Sequence, residues 1–133
     1  MVVVSRSMAV STRAARRRVL VVDDNVDITS CLHDLLALLG HEVHEANTGS
    51  RALALAAEHG PDLVLLDLSL PDLDGYEVVR GLRAMPAGVA MEIVALSGSR
   101  LDPSREGRFD RHILKPIDLA DLRAILASRD PAR

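Results

Sequence analysis

The stretch that decides the fold is Pro61-Asp-Leu-Val-Leu-Leu-Asp67, in which four consecutive apolar residues end at an acid. A similar stretch, Val19-Leu-Val-Val-Asp-Asp-Asn25, occurs earlier in the chain. Short runs that are apolar at every position are typical of parallel strands, because helices cover both faces of such a strand. Each stretch is therefore interpreted as a buried strand with acidic residues at its carboxyl end.

The same alternation of short apolar runs and helical patterns continues outward from these two stretches. Strands are predicted at residues 19–22, 42–46, 63–66, 91–96 and 112–114. Helices are predicted at residues 26–39, 50–59, 76–84, 103–108 and 119–127, and Pro103 and Gly107 shorten the fourth to one or two turns. Strands that alternate with helices form parallel sheets, so the predicted fold class is α/β, a doubly wound (βα)5 sandwich.

Composition limits the classes of function. The 133 residues, 48% hydrophobic and 26% charged, are enough for one globular domain. Tyr76 and Phe109 are the only aromatic residues, which argues against stacking platforms for single-stranded nucleic acid. Cys31 is the only cysteine, so an internal disulfide and an all-cysteine metal site are excluded. No apolar run approaches the ~18 residues of a membrane span, and no signal-peptide pattern opens the chain, so a cytoplasmic protein is expected.

Charge is unevenly distributed along the chain. Residues 1–18 contain five arginines and no acid, whereas residues 19–133 have a net charge of −8. The predicted organisation is a flexible basic tail at 1–18, a folded domain at 19–128 and a C-terminal tail at 129–133. An acidic body is a poor generic binder of nucleic acid, so no direct DNA binding is expected.

Five polar side chains follow the predicted strands at their carboxyl ends. In doubly wound sheets, ligands bind beyond these ends. The side chains expected to converge there are Asp23, Asp24, Asp67, Ser97 and Lys115, the only lysine. An all-oxygen cluster favours a hard cation such as Mg²⁺, and a carboxylate can act as a nucleophile toward phosphorus. The set therefore predicts phosphoryl transfer, with metal and lysine neutralising charge.

Four segments, in order, carry a resemblance to a known family. They are Val-Leu-Val-Val-Asp-Asp-Asn (19–25), Pro-Asp-Leu-Val-Leu-Leu-Asp-Leu-Ser-Leu-Pro-Asp-Leu-Asp-Gly-Tyr-Glu-Val (61–78), Ala-Leu-Ser-Gly (95–98) and Leu-Lys-Pro (114–116). Together they resemble the CheY-like receiver domain of response regulators in two-component signalling. The resemblance covers residues 19 to about 127 and implies a flavodoxin-like fold with strand order 2-1-3-4-5.

The resemblance also implies roles for individual residues. Asp67 would accept a phosphoryl group from a histidine kinase or a phosphotransfer protein. Asp24 and Asp67 would bind Mg²⁺ directly with the main-chain oxygen of Ser69, and Asp23 would assist through water.

Three further residues match positions around the phosphoryl group. Ser97 matches the hydroxyl residue that turns toward it, and Lys115 matches the lysine that pairs with it. The Lys115–Pro116 peptide bond would be cis, as in the family.

The chain departs from the family pattern on its predicted signalling face. His112 stands where the family has Tyr or Phe. It is interpreted either as a half-buried structural histidine or as a switch residue in place of the aromatic side chain, in which case the imidazole would add pH sensitivity. His112 and Pro116 are candidate switch or interface residues, and the shortened fourth helix lies on the same face.

The remaining acids and histidines have structural interpretations. Asp72 and Asp74 are predicted to form a turn and to cap the third helix. The other four histidines lack the sequence spacing of a metal site and are interpreted as surface residues: His33, His41, His44 and His59.

Three functions remain open at this point. The first is a stand-alone phosphoacceptor, not an enzyme, that signals to a downstream protein and dimerises on phosphorylation. The second is a receiver-like interaction module that is never phosphorylated. The third is a phosphatase of the haloacid dehalogenase type, which is disfavoured because Ser69 stands where that chemistry needs a second acid.

Overall fold

A computed structural model describes residues 16–101 and 107–128. The strands are β1 (Arg18–Val22), β2 (Glu42–Ala46), β3 (Leu63–Asp67), β4 (Glu92–Ser97) and β5 (Arg111–Leu114). The α-helices within these ranges are α1 (Val26–Leu38), α2 (Gly49–His59), α3 (Gly75–Arg83) and α4 (Leu119–Ser128), and a 3₁₀ turn spans Gly88–Ala90. Residues 103–106 of the helix predicted at 103–108 lie outside the described ranges. Residues 107 and 108, which are described, are not helical.

All four strand pairs are parallel, and the sheet order is β2-β1-β3-β4-β5. Two predictions are thereby confirmed, the doubly wound α/β class and the strand order. Because the order reverses after β1, the loops that follow β1 and β3 diverge to opposite faces and leave a crevice at their carboxyl ends. This crevice positions the functional site.

The core forms two apolar layers, one on each face of the sheet. Successive strand residues point to opposite faces, so Leu20 and Val22 join one layer and Val19 and Val21 join the other. Helices α2 and α3 cover the first layer, and α1 and α4 cover the second. The central strand β3 is buried at all five positions, which explains its unbroken apolar sequence.

Capping residues mark the starts of the helices near the crevice. The side chain of Asn25 accepts hydrogen bonds from the backbone N–H groups of Asp27 and Ile28 and so caps α1. Asp74 and Glu77 form a reciprocal capping box at the start of α3. Asp72, which was predicted to help cap α3, instead reaches across to the start of α2 and accepts hydrogen bonds there from Gly49 and Ser50.

The amino-terminal boundary of the fold lies earlier than the sequence analysis placed it. Arg18 opens β1, and Arg17 is only 4% exposed. Its guanidinium contacts Asp62 at 3.1 Å and Glu92 at 2.7 Å, at the amino edge of the sheet. Two arginines that were assigned to a tail therefore belong to the folded domain, because partners distant in sequence neutralise Arg17. Arg16 is described and exposed, and the other predicted tail positions, 1–15 and 129–133, lie outside the described residues.

Within the described ranges, no helix has the length and apolar character needed to cross a membrane.

Candidate functional site

The carboxyl edge of the sheet brings together the three acids that the sequence analysis selected. Asp67 is the last residue of β3, and Asp23 and Asp24 follow β1 directly. One carboxylate oxygen from each lies within 4.8 Å of the others. Asp23 and Asp67 are buried, whereas Asp24 is exposed. The cluster therefore has two fixed carboxylates at its base and one on the solvent side.

Lys115 bridges the two buried carboxylates. Its Nζ lies 3.0 Å from Asp23 Oδ2 and 3.3 Å from Asp67 Oδ2. The residue follows β5, and its backbone N–H donates to the carbonyl oxygen of Ser97 at 2.7 Å, which ties the lysine to the end of β4. The Lys115–Pro116 peptide bond is cis, which confirms the expectation drawn from the family resemblance.

The electrostatics of the cluster leave negative charge uncompensated. Burial raises the pKa of Asp67, and the Asp23 charge acts in the same direction, while a hydrogen bond from Ser69 and the Lys115 ammonium oppose them. Desolvation would lower the pKa of Lys115, but its hydrogen bond to Asp23 and the charges of Asp67 and Asp23 outweigh that effect and raise it. The site thus contains three carboxylates and one ammonium, an imbalance of charge that a divalent cation would reduce.

The donor set fits Mg²⁺. The grouped atoms are all carboxylate oxygens, the ligands that hard cations prefer. Each buried acid also has a fixed orientation, because Asp67 Oδ1 accepts from the Ser69 N–H at 3.0 Å and Asp23 Oδ1 accepts from the Asn25 N–H at 2.9 Å.

A glycine fixes the loop that carries Ser69. A Cβ on Gly75 would lie 2.5 Å from Leu68 Cα and 2.8 Å from its carbonyl oxygen. The Gly75 N–H donates to that same oxygen at 3.1 Å. Close packing of α3 on the loop therefore requires glycine, and it holds the segment after Asp67 in place.

Ser97 ends β4, and its hydroxyl contacts two neighbouring residues, His112 and Ser99. Its Oγ lies 2.7 Å from His112 Nε2 and donates to the carbonyl oxygen of Ser99. A hydroxyl has one proton, so with Ser99 accepting it, His112 Nε2 must be the protonated donor to Ser97. His112 is thus in direct contact with Ser97, and Pro116 is exposed beyond Lys115.

Sequence reasoning missed two residues that support the site. Asn47 donates to the backbone carbonyl of Asp23 at 2.8 Å and to Thr29 Oγ1 at 3.0 Å, and Thr29 is completely buried. These contacts join the end of β2 to the Asp23 loop. A polar residue directly after the predicted strand at 42–46 was the available signal.

Sequence reasoning also missed a cluster of side chains beside the edge strand β2. His44 and His59, interpreted above as unrelated surface residues, stack with ring centroids 3.7 Å apart, beside Glu42. Residues 15 positions apart have no local spacing that signals this contact.

Comparison with known proteins decides the family. A family model described as the response regulator receiver domain matches residues 19–127. The chain belongs to the response regulator receiver domain family. This match confirms the predicted family and signalling class. Receiver domains bind Mg²⁺ in their acidic site and interact with histidine kinases.

Two relatives illustrate the range of proteins to which the chain is similar. The transcriptional regulatory protein PrrA of Mycobacterium tuberculosis is 41% identical over 107 residues, which cover 79% of this chain and 46% of PrrA. Sporulation initiation phosphotransferase F of Bacillus subtilis is 29% identical over 108 residues, covering 80% of this chain and 87% of that protein. The chain thus spans about half the length of PrrA.

A solved structure shows a similar fold with a metal. The receiver domain of the sensor histidine kinase PA1611 from Pseudomonas aeruginosa superimposes with a TM-score of 0.76 and 31% identity, covering 85% of this chain and 96% of that one. That structure is described as having a magnesium ion coordinated in the active site cleft.

Proposed function

We propose that Asp67 is the phosphoacceptor of this receiver domain. The observation that carries the proposal is the Lys115 bridge between Asp23 and Asp67 at the carboxyl edge of the sheet. A phosphoryl group on Asp67 would lie beside the ammonium, which is placed to neutralise charge on its oxygens. Asp67 is the last residue of β3, and its backbone is therefore held by the centre of the sheet.

In the proposed reaction, a carboxylate oxygen of Asp67 attacks the phosphorus of a phosphohistidine on a histidine kinase or phosphotransfer protein. A P–O bond forms, the P–N bond breaks, and the leaving imidazole retains the electron pair and takes up a proton. Asp67 becomes an acyl phosphate, which water later hydrolyses to carboxylate and inorganic phosphate. Fixed orientation of the acceptor supplies most of what such a transfer needs from the protein.

The Mg²⁺ ligands in this proposal are the carboxylates of Asp24 and Asp67 and the main-chain oxygen of Ser69, with Asp23 assisting through water. When bound, Mg²⁺ neutralises charge on the phosphoryl oxygens. The proposal is supported by the grouping of the three carboxylates and by the magnesium described in the PA1611 receiver domain.

The output of the reaction is proposed to pass through Ser97, His112 and β5 to a downstream protein. Ser97 would turn from His112 toward the phosphoryl group and release the imidazole. β5 is an edge strand with Leu114 52% exposed, so a change there is accessible to a partner or to a second receiver domain. We place this exchange in the cytoplasm, the usual location of receiver domains. The −8 charge of residues 19–133 argues against direct DNA contact by this domain.

The test is phosphorylation followed by intact-mass measurement. Incubation with Mg²⁺ and either acetyl phosphate or a phosphorylated histidine kinase is expected to add one group of about 80 Da, stable in acid and labile in base. The adduct should be lost in Asp67→Asn and in the absence of Mg²⁺. The control is Asp34→Asn, which alters an exposed acid on α1 and should leave the adduct unchanged.

The two other candidate functions predict different results. Absence of an adduct with either donor would contradict the proposal and support a non-phosphorylated interaction module. Repeated turnover of a generic phosphate ester would instead support a phosphatase. The structure places the exposed Ser69 two residues after Asp67, where the phosphatase would need its second acid.

A further inference from the structure

A second group of side chains of the types that bind metals lies beside the edge strand β2, on elements that do not contribute to the acidic site. Glu42 and His44 are alternate residues of the edge strand β2, so both point to the same side. His59 is the last residue of α2. The parallel sheet brings the carboxyl end of this helix back beside the amino end of β2, which is why residues distant in sequence meet.

The donor atoms of these three side chains converge. His44 Nε2 lies 3.0 Å from Glu42 Oε2, and the two imidazole rings are stacked at 3.7 Å with an interplanar angle of 13°. One ligand atom from each residue lies within 4.8 Å of the other two. Zinc bonds of about 2.0–2.2 Å place tetrahedral donors roughly 3.3 Å apart. Because imidazole nitrogens bind a metal in the plane of the ring, the two rings must tilt out of their stack for both nitrogens to point at one ion.

Neighbouring groups orient the set. Arg18 Nε lies 3.5 Å from Glu42 Oε1, which leaves Oε2 facing His44. The same guanidinium donates to the carbonyl oxygen of His59 at 3.4 Å. Partners of this kind outside the ligands commonly fix ligand orientation in metal sites. Glu58 Oε2, 3.6 Å from His59 Nε2, is a further oxygen at the rim.

We propose that Glu42, His44 and His59 form a second metal site that takes a transition-metal dication, with Zn²⁺ the best match. Two imidazole nitrogens and one carboxylate oxygen are ligands typical of Zn²⁺ and unlike the all-oxygen set that Mg²⁺ prefers. The fourth position is left for water or for Glu58. The three ligand side chains are 25–35% exposed, so an ion can enter from solvent.

Binding there would connect β2 to the end of α2 and so stabilise the folded state. The ordinary alternative is that Glu42 and His44 form only an ion pair and that His59 merely stacks on it. The two descriptions differ in one measurable property, which is affinity for a transition metal when the acidic site is saturated.

The experiment titrates Zn²⁺ into the whole chain by calorimetry in excess Mg²⁺. We expect one site, and His44→Ala and His59→Ala should each weaken it by at least about tenfold. His33→Ala is the matched control, because His33 is a comparably exposed histidine that pairs with Glu45 outside the group. In the same titration, a further tenfold increase in Mg²⁺ should leave the Zn²⁺ affinity unchanged, which excludes binding at the acidic cluster.

A second readout does not depend on the variants having wild-type stability. In the unaltered chain, Zn²⁺ should shift the imidazole ¹⁵N resonances of His44 and His59 and leave those of His112 unchanged. The proposal would be overturned by the absence of saturable binding in excess Mg²⁺, by wild-type Zn²⁺ affinity in His44→Ala and His59→Ala, or by shifts confined to other histidines.

Discussion

Ser97 Oγ and His112 Nε2 lie 2.7 Å apart, so the hydroxyl proposed to turn toward the phosphoryl group is bonded to the residue that replaces the family's aromatic side chain. In other receiver domains, by the resemblance described above, Tyr or Phe occupies this position. An imidazole differs from both because its ring nitrogens can donate or accept hydrogen bonds. Any movement of Ser97 therefore changes the hydrogen bonding of His112.

Loading Asp67 with beryllofluoride or with phosphate should break this bond. The His112 Nε2 resonance should then shift in ¹⁵N-resolved NMR spectra, since it loses the Ser97 partner. His41 is the internal control, because it lies beside Arg17 at the amino edge of the sheet, away from Asp67. An unchanged His112 spectrum in a fully loaded sample would show that Ser97 and His112 do not form a switch.

Replacing Lys115 should separate its structural role from its chemical role. Lys115→Met leaves Asp23 and Asp67 buried without their shared cation, and should lower the free energy of unfolding by about 1–3 kcal/mol in urea with a chelator present. Part of that loss should be recovered in Mg²⁺. The control is Arg123→Met on the exposed side of α4, which should change stability little.

Lys115→Arg should restore the charge and much of the stability but not the reaction. A planar guanidinium is larger than the ammonium that fits between two carboxylate oxygens, so phosphorylation by acetyl phosphate should slow by roughly 10²-fold. The measurement is the rate at which the phosphorylated mass appears. A wild-type rate in Lys115→Arg would show that position 115 contributes only positive charge.

The sequence predicted the acidic site because one topological rule places its members. The carboxyl ends of parallel strands share one edge of the sheet, so residues that follow separate strands must meet there. Predicting that Asp23, Asp67 and Lys115 meet required no information about side-chain packing. Predicting the contact between Ser97 and His112 would also have required the register of β4 against β5, in which Ala95 pairs with His112.

Other contacts were missed because they join elements through side chains with no periodic signal. His44 and His59 belong to a strand and to the end of the following helix, and only the packing of α2 on the sheet brings them together. Arg17 was misassigned for the same reason. Arg17 lies in a run of three arginines, a pattern typical of a solvated tail, and its partners Asp62 and Glu92 lie far along the chain.

Asp72 should stabilise the protein in a pH-dependent way. It accepts hydrogen bonds from the backbone of Gly49 and Ser50 and from the Ser50 hydroxyl at the start of α2. These bonds, the Ser50 hydroxyl first, hold the pKa of Asp72 well below its ordinary value of 3.8. A carboxylate whose pKa is lowered by folding stabilises the folded state above the unfolded value, and this stabilisation is lost as pH falls through the folded value.

Asp72→Asn should therefore be less stable than the wild-type protein at pH 7, by an amount that shrinks once the pH falls below about 4. Chemical denaturation at both pH values measures the difference. Asp34→Asn, an exposed acid on α1, should show no comparable pH-dependent difference. A difference for Asp72→Asn that is the same at pH 7 and pH 3 would contradict a role for the ionised carboxylate.

Gly75→Ala should disturb the site without altering any of its chemical groups. The new Cβ would lie 2.5 Å from Leu68 Cα, a backbone atom, so α3 or the loop after Asp67 must move. Overpacking of this kind costs about 1–3 kcal/mol, and displacement of the Ser69 N–H should also slow phosphorylation of Asp67. Gly81→Ala is the matched control, because its Cβ would meet only the tip of the flexible Leu53 side chain, at 2.8 Å. Thermal denaturation and the phosphorylation rate should separate the two variants: Gly75→Ala should lose both stability and rate, and Gly81→Ala should keep its rate. Equal phosphorylation rates in the two variants would show that the loop after Asp67 does not depend on its contact with α3.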